Sequence, residues 1–312
     1  MENAAWFNGN LVRRSRQGKG TPLMPNRRFE TYLFSLFNEN LKPGPTAERN
    51  WGLFRPDFSP IYDAGILRNG QRGGGRGLIT WPLPPPHPSL PPYSSSPPSS
   101  TFPPQPLRSG VNYGTLANNL PSPSQVASFL KTQTTIDSIK IFDTNPDILR
   151  AFANSKHHRD CHCMVMVIFL LLSIQWVANN IKPYYPQTRI KLIAVGNEIL
   201  LTGNKVWISR LVPCMKSLHQ ALVHAGIKDV QVSTPHTLGI MHNSVPTKRC
   251  PDKAWLWTGS YLLPWLQFLR QTKSPLMVNP YPYFSYSPSM ENYILFKPNR
   301  GVHDTNTQHY LH

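Results

Sequence analysis

From Gly110 onward the chain alternates between strand-like and helix-like segments, and this strict alternation is what most constrains its fold. Each short apolar or β-branched run is followed by an amphipathic segment, an order that builds right-handed βαβ units around a parallel sheet. Strands are predicted at Gly110–Tyr113, Ile139–Phe142, Met164–Leu170, Ile190–Val195, Val230–Ser233 and Leu276–Val278. Helices are predicted at Ser122–Thr132, Pro146–Ala153, Leu171–Ile181, Val206–Ala225 and Tyr261–Thr272. Such strands fit a barrel or a doubly wound sheet, and dinucleotide binding is unsupported because no GxGxxG motif follows the first strand.

The strand predicted at Ile190–Val195 ends in Gly196, Asn197 and Glu198. Its continuous apolar run is typical of a strand that is buried on both faces. In (β/α)₈ barrels the carboxyl ends of the strands carry the chemistry. Glu198 can serve there as a general acid if its surroundings raise its pKa, and the alternative is a solvated side chain at the start of a loop.

The composition divides the chain of 312 residues into three parts. Residues 1–70 are predicted to fold, with an amphipathic helix at Glu2–Gln17 and a β-prone run at Phe29–Glu39. Residues 71–109 are rich in Gly, Pro and Ser and are predicted to be an extended, disordered linker. Residues 110–312 contain the six βα units.

The chain carries 32 Lys and Arg residues against 15 Asp and Glu residues, a formal net charge of +17. Such a charge attracts nucleic acid, or an acidic matrix such as a cell wall. The basic residues are scattered along the chain and form no stripe, so we expect no nucleic-acid partner. A basic protein that binds RNA or wall matrix through its linker stays open as an alternative.

Four cysteines provide no disulfide framework for a chain of this size. Residues Met1–Asn10 lack the basic start and apolar core of a secretory signal, so none is predicted in this sequence. The longest apolar run, Cys163–Ile174, is too short to cross a bilayer, which takes about 20 residues. Zinc could bind the neighbouring side chains, but their crowded spacing is unlike that of zinc sites, and we predict no metal and no cofactor. Those side chains are His157, His158, Cys161, His162 and Cys163.

Several motifs occur in an order that resembles plant glycoside hydrolase family 17, the endo-1,3-β-glucosidases. They are GVNYG (Gly110–Gly114), IKIFD (Ile139–Asp143), AVGNE (Ala194–Glu198), VSTPHTLGIM (Val232–Met241) and MVNPYPYFSYSP (Met277–Pro288). The resemblance implies a (β/α)₈ TIM barrel that cleaves internal linkages of β-1,3-glucan with retention of configuration. It also implies a cell-wall or extracellular location and a role in plant defence.

The same resemblance assigns functions to individual residues. Glu198 is implied to be the catalytic acid/base, and Asn197 to bind the sugar beside the scissile bond. Tyr113, Tyr283 and Phe284 resemble aromatic walls of the cleft, whose rings suit the apolar faces of glucose units. For any one of these rings, ordinary core packing is the alternative.

The order of the segments departs from the family pattern. Gly20–Leu67 resembles the eighth strand and the closing segment of the barrel, and Glu39 and Lys42 correspond to charged residues that line the substrate cleft. This order fits either a circular permutation or a fusion of two tandem copies. The seventh strand, whose E-T-G-W motif carries the nucleophile, is missing, and neither Glu291 nor Asp304 replaces it. The predicted fold is therefore an incomplete barrel.

A retaining glycosidase needs two carboxylates about 5–5.5 Å apart, one as acid/base and one as nucleophile. Glu198 alone can protonate a leaving group but cannot form the glycosyl-enzyme intermediate. We therefore expect this chain to hydrolyse β-1,3-glucan far more slowly than an intact relative. A non-catalytic glucan-binding protein is the alternative.

Overall fold

The computed structural model describes residues 1–18, 20–21, 24, 27–68, 109–153, 162–167, 174–240, 261–282, 287–304 and 309–311. Residues 71–108 of the predicted linker lie outside these ranges, as do His157, His158 and Cys161 of the zinc candidates, whereas Ser109 is described and belongs to a strand. Within them, no helix is long and apolar enough to cross a membrane, and no group of His, Cys, Asp and Glu side chains could hold a metal ion.

Six strands form one parallel sheet whose spatial order equals their order along the chain. They are β1 (Thr31–Leu33), β2 (Ser109–Tyr113), β3 (Ser138–Ile141), β4 (His162–Val167), β5 (Ile190–Val195) and β6 (Gln231–Ser233). Directly after β6, β7 (Pro235–Thr237) pairs in parallel with β8 (Met277–Asn279). A separate antiparallel pair consists of β9 (Val302–Asp304) and β10 (His309–Leu311). The predicted parallel βα arrangement is confirmed, and the bounds of β5 are those predicted.

Seven helices lie among the described residues: α1 (Glu2–Arg16), α2 (Pro123–Gln133), α3 (Pro146–Ala151), α4 (Ile174–Asn180), α5 (Lys205–His224), α6 (Leu262–Thr272) and α7 (Glu291–Ile294). Polar side chains fix the starts of three of them. Ser122 and Gln125 form a capping box on α2, and the side chains of Asn145 and Asn204 accept backbone N–H groups at the starts of α3 and α5. These caps satisfy donors that a helix N-terminus leaves free.

Of the β-prone run Phe29–Glu39, only Thr31–Leu33 forms a regular strand, β1. Beyond β1 the backbone exchanges partners: the Ser35 N–H donates to the Trp51 carbonyl, and the Leu53 N–H donates to the Ser35 carbonyl. The ladder with β2 is interrupted at Ser35 and resumes where the Leu36 N–H donates to the Asn112 carbonyl, which local β-propensity does not reveal. Of the strand predicted at Met164–Leu170, Met164–Val167 belongs to β4, which begins at His162, and residues 168–170 lie outside the described residues.

The sheet is strongly curved. Side chains of β5 alternate: Ile193 and Val195 pack in the main core, whereas Leu192 and Ala194 contact Tyr32 of β1 and Met277 of β8. In a flat sheet β1 would lie about 19 Å from β5, four strand spacings away, so contact between them requires the sheet to roll up. The described strands nevertheless do not close into a barrel, because β1 and β8 do not pair with each other.

Burial of α6 against the sheet provides a test of this packing. Leu269 is buried in the core, while Leu266 in the same helix is 41% exposed. We expect Leu269→Ala to lower the free energy of unfolding by about 2–5 kcal/mol and Leu266→Ala by about 1 kcal/mol or less. Urea unfolding followed by circular dichroism measures both, and equal losses would contradict the orientation of α6.

Candidate active site

Glu198 lies three residues beyond the end of β5 on a tight left-handed turn. Gly196 has a φ of 69° and Glu198 a φ of 55°. A Cβ at position 196 would also lie 2.5 Å from Cγ1 of Ile199, so glycine is needed there for two reasons. The Glu198 N–H donates to the Pro235 carbonyl at 2.9 Å. This bond to β7 holds a non-glycine residue in a backbone conformation that is uncommon outside functional sites.

The carboxylate of Glu198 accepts two hydrogen bonds from the end of β8. Nδ2 of Asn279 donates to Oε1 at 2.8 Å, and the Tyr281 hydroxyl donates to the same oxygen at 2.5 Å. Nδ2 of Asn279 also lies 3.1 Å from Oδ1 of Asn197. Burial, with the bond to Glu198 and its charge, raises the pKa of Tyr281 well above its usual value. Tyr281 therefore remains a donor at neutral pH, and the two donors fix the orientation of the carboxylate.

A buried cation lies within electrostatic reach of Glu198. Lys140 of β3 is 6% exposed, and burial lowers its pKa to about 8, an effect that the charge of Glu198 opposes. Asn112 of β2 is in register with Lys140, and its Oδ1 is buried without a partner among the described residues. Polar groups from β2, β3, β5 and β8 thus meet on the inner side of the sheet.

The segment that follows β1 brings three more charged side chains to this end of the sheet. The carboxylate of Glu39 is buried and accepts the Leu116 N–H at 3.0 Å. Lys42 pairs with Glu48 at 3.2 Å, and its ammonium lies 4.4 Å from the centre of the Phe34 ring. The charge of Glu48 makes a small contribution to the raised pKa of Tyr281, so Glu48 lies within electrostatic reach of that hydroxyl.

The three predicted aromatic walls differ in what the structure describes. Tyr113 is 2% exposed and makes an edge-to-face contact with Phe37 at 6.3 Å. Burial, with a smaller contribution from the charge of Asp143, raises its pKa to about 12. This is the core packing that the sequence left open, and its role as a cleft wall stays a prediction. Tyr283 and Phe284 lie outside the described residues.

Sequence reasoning missed four residues of the site: Lys140, Asn279, Tyr281 and Glu48. Asn279 and Tyr281 lie in the MVNPYPYF motif, where only the two later aromatics were selected. Lys140 had a visible signal, because it is a lone cation inside an otherwise apolar strand. Glu48 had none, since its relevance depends on how the segment after β1 folds.

A second buried titratable group lies next to the Glu198 turn. His236 of β7 is fully buried, and neither of its ring nitrogens has a partner in the described part of the chain. Its ring meets Trp265 of α6 edge to face at 4.9 Å. Burial lowers the pKa of His236 to about 4, so the imidazole is neutral at physiological pH.

A curved parallel βα sheet with an oriented carboxylate at the end of a central strand defines an enzyme-like α/β fold of the barrel type. Residues 1–66 and 109–311 match the sequence profile of the family described as "Glycosyl hydrolases family 17", and the chain belongs to this family. The resemblance that the motifs indicated is therefore confirmed. Membership implies a TIM barrel fold, although the described strands do not close.

Two relatives named as glucan endo-1,3-β-glucosidases show how far the similarity extends. One from Triticum aestivum is 44% identical over 213 residues, which cover 65% of this chain and 46% of the relative. Glucan endo-1,3-beta-glucosidase 14 of Arabidopsis thaliana is 37% identical over 212 residues, 64% of this chain and 53% of the relative. This chain thus spans about half the length of these relatives.

Among solved structures, the chain is similar to CJP38, a β-1,3-glucanase and allergen of Cryptomeria japonica pollen. The TM-score is 0.53 at 39% sequence identity, over 62% of this chain and 63% of that one.

Burial of neutral His236 should make the free energy of unfolding decrease as the pH falls. The folded pKa of about 4 lies below the ordinary 6.5, so between these values the unfolded chain binds more protons. Stability is therefore full above pH 6.5 and is lost as the pH falls towards 4, by about 3 kcal/mol at most. In urea unfolding from pH 7 to 4, His236→Leu should lose less stability than the native chain. The matched variant at exposed His224, His224→Leu, should behave like the native chain, and parallel profiles for all three would refute this prediction.

Proposed function

We propose that this chain acts on β-1,3-glucan, with Glu198 as the acid/base. The observation that carries the proposal is the carboxylate held at the carboxyl end of β5 by donors from Asn279 and Tyr281. It occurs in a family 17 chain whose matched relatives are named glucan endo-1,3-β-glucosidases. The basic charge of the chain suits an acidic cell-wall matrix, which we propose as its extracellular location.

The geometry suits proton donation to a glycosidic oxygen. As Glu198 gives up its proton, the charge that develops on its carboxylate is stabilised by Asn279 and Tyr281, which already point at Oε1. Tyr281 does not compete for the proton transfer because its pKa is far above neutrality. Lys140 adds a buried positive charge within reach of the same carboxylate. In the second step of a retaining reaction the ionised Glu198 would activate water.

We further propose that the barrel lacks one strand, between β8 and β1. The 312 residues contain no E-T-G sequence. Among the described residues, β8 pairs only with β7, and no strand pairs with its other edge. We propose that the missing strand is the one that would carry the second carboxylate of a retaining pair.

The outer layer supports a gap of about one strand. Nδ2 of Asn10 in α1 donates to the Leu295 carbonyl at 2.8 Å, and the rings of Phe7 and Phe296 are 5.6 Å apart. The helix that precedes β1 therefore touches the segment that follows α7. The outer helices are thus in contact on the side of the fold where β1 and β8 do not pair.

Hydrolysis of laminarin, a soluble β-1,3-glucan, tests the role of Glu198. We expect slow release of reducing sugar, far below that of an intact relative, and a further loss of about 10²–10⁴-fold in Glu198→Gln. Asp147→Asn, at an exposed carboxylate in α3, is the matched control and should match the native chain. Turnover near that of an intact relative would refute the predicted handicap. Retention on insoluble glucan without any sugar release would indicate a binding protein.

Supplying the missing strand tests the incomplete barrel. We expect that appending a seventh βα unit with an E-T-G-W strand to the carboxyl terminus raises laminarin turnover by at least 100-fold, because it adds the nucleophile. The control carries the same unit with Gln in place of the motif's Glu and should stay at the low rate. If both appended chains gain activity equally, or neither does, the proposal of a single missing strand fails.

A further inference from the structure

The loops that follow β1 and β2 are joined to each other by hydrogen bonds. The Leu41 N–H donates to the Leu116 carbonyl at 3.0 Å. Nδ2 of Asn40 donates to Oδ1 of Asn118 at 2.8 Å, and the Asn118 N–H returns a bond to Oδ1 of Asn40 at 3.3 Å. Residues far apart in the chain thus form one paired rim at the carboxyl ends of the two strands.

The carboxylate of Glu39 lies inside this rim. Glu39 is only 5% exposed, and its Oε1 accepts a hydrogen bond from the Leu116 N–H at 3.0 Å. A carboxylate is costly to bury, and a hydrogen bond from a backbone N–H to the charged group is among the stronger ones in proteins. The Glu39 side chain therefore bonds the start of the loop after β2, in addition to the backbone bond that Leu41 makes with the same loop.

Gly114 shows how closely this loop is packed on Glu39. A Cβ at position 114 would overlap both carboxylate oxygens of Glu39. The backbone at Gly114 is not in the left-handed region, so a larger residue there is opposed only by space, and the Glu39 carboxylate would have to move to admit it. The carboxylate and the glycine are fitted to each other.

The backbone carbonyl of Glu39 also fixes the position of Lys42, and through Lys42 that of Glu48. The Lys42 N–H donates to the Glu39 carbonyl at 3.1 Å, and the Lys42 side chain pairs with Glu48. The charge of Glu48 acts on Tyr281, which donates to Glu198. A shift at Glu39 would thus reach the site through both loops.

We propose that Glu39 is a positioning residue that fastens the Gly114–Asn118 loop to the Glu39–Lys42 loop and thereby shapes the glucan cleft, without touching the sugar. This differs from the substrate-binding role predicted for Glu39 from the family resemblance. The part that concerns glucan rests on the proposed function, whereas the part that concerns the loops does not.

Hydrogen exchange of the full chain and retention on insoluble β-1,3-glucan test the proposal together. Glu39→Ala should speed amide exchange at least tenfold in peptides that cover residues 114–118, and weaken glucan retention at least fivefold. Glu39→Gln keeps an acceptor for the Leu116 N–H and should restore most of both. Gly114→Ala should resemble Glu39→Ala because of the overlap, and the double variant should be no worse than Glu39→Ala alone.

A glycine with free space around it provides the matched control. At Gly239 an added Cβ would meet its nearest neighbour at 3.5 Å, so Gly239→Ala should leave exchange at residues 114–118 unchanged. Circular dichroism checks that every variant is folded, and if Glu39→Ala does not fold, Glu39→Gln and Gly114→Ala decide.

Three results would overturn the proposal. Weaker glucan retention in Glu39→Ala with unchanged exchange would show direct contact with the sugar. Faster exchange with unchanged retention would separate the loops from the cleft, and strictly additive effects of the two substitutions would show that Glu39 and Gly114 are not coupled. If the native chain does not bind glucan, the proposed function fails by itself, and the exchange results alone decide whether Glu39 fastens the loops.

Discussion

The parallel pairing of Thr31–Leu33 with Ser109–Val111 joins the N-terminal part of the chain to the rest. Because of this pairing, the segment after β1 emerges beside the segment after β2, and their loops can exchange hydrogen bonds. The pairing also turns Tyr32 inward over Gly110, where a Cβ would overlap the Tyr32 ring, and towards Leu192 and Ala194 of β5. The curvature of the sheet and the second wall of the site both depend on it.

The site around Glu198 illustrates how a rolled sheet concentrates polar groups at modest cost. The carboxylate comes from β5, its two donors from the end of β8, and the buried cation from β3. None of these strands needs more than one or two polar residues, so the other side chains of each strand stay apolar and stabilise the core by their burial. The left-handed turn at Glu198 is held by a bond to the neighbouring strand, so the fold as a whole supports the local strain.

Much of this fold could be predicted from the sequence because apolar strands flanked by amphipathic helices leave a strong pattern. Ile190–Val195 was placed at its observed bounds. The β-prone run Phe29–Glu39 is a regular strand only over Thr31–Leu33, because Ser35 bonds to Trp51 and Leu53 and interrupts the ladder with β2. Glu198 could be predicted because it follows the end of a recognisable strand. The role of Asn279 and Tyr281 depends on the pairing of β7 with β8, which the sequence does not reveal. The contact of Glu39 with Leu116 likewise depends on two loops that only the folded sheet brings together.

The unusual order of the segments costs this fold little, whereas an unfilled strand position costs much. Loop-closure entropy grows only with the logarithm of loop length, so a long connection between β1 and β2 is a minor burden. An absent strand removes a full set of backbone hydrogen bonds from both neighbours. It also removes whatever side chain that strand would carry to the site. Under the proposal of a missing strand, that strand limits the chemistry of this chain more than the order in which the other strands are connected.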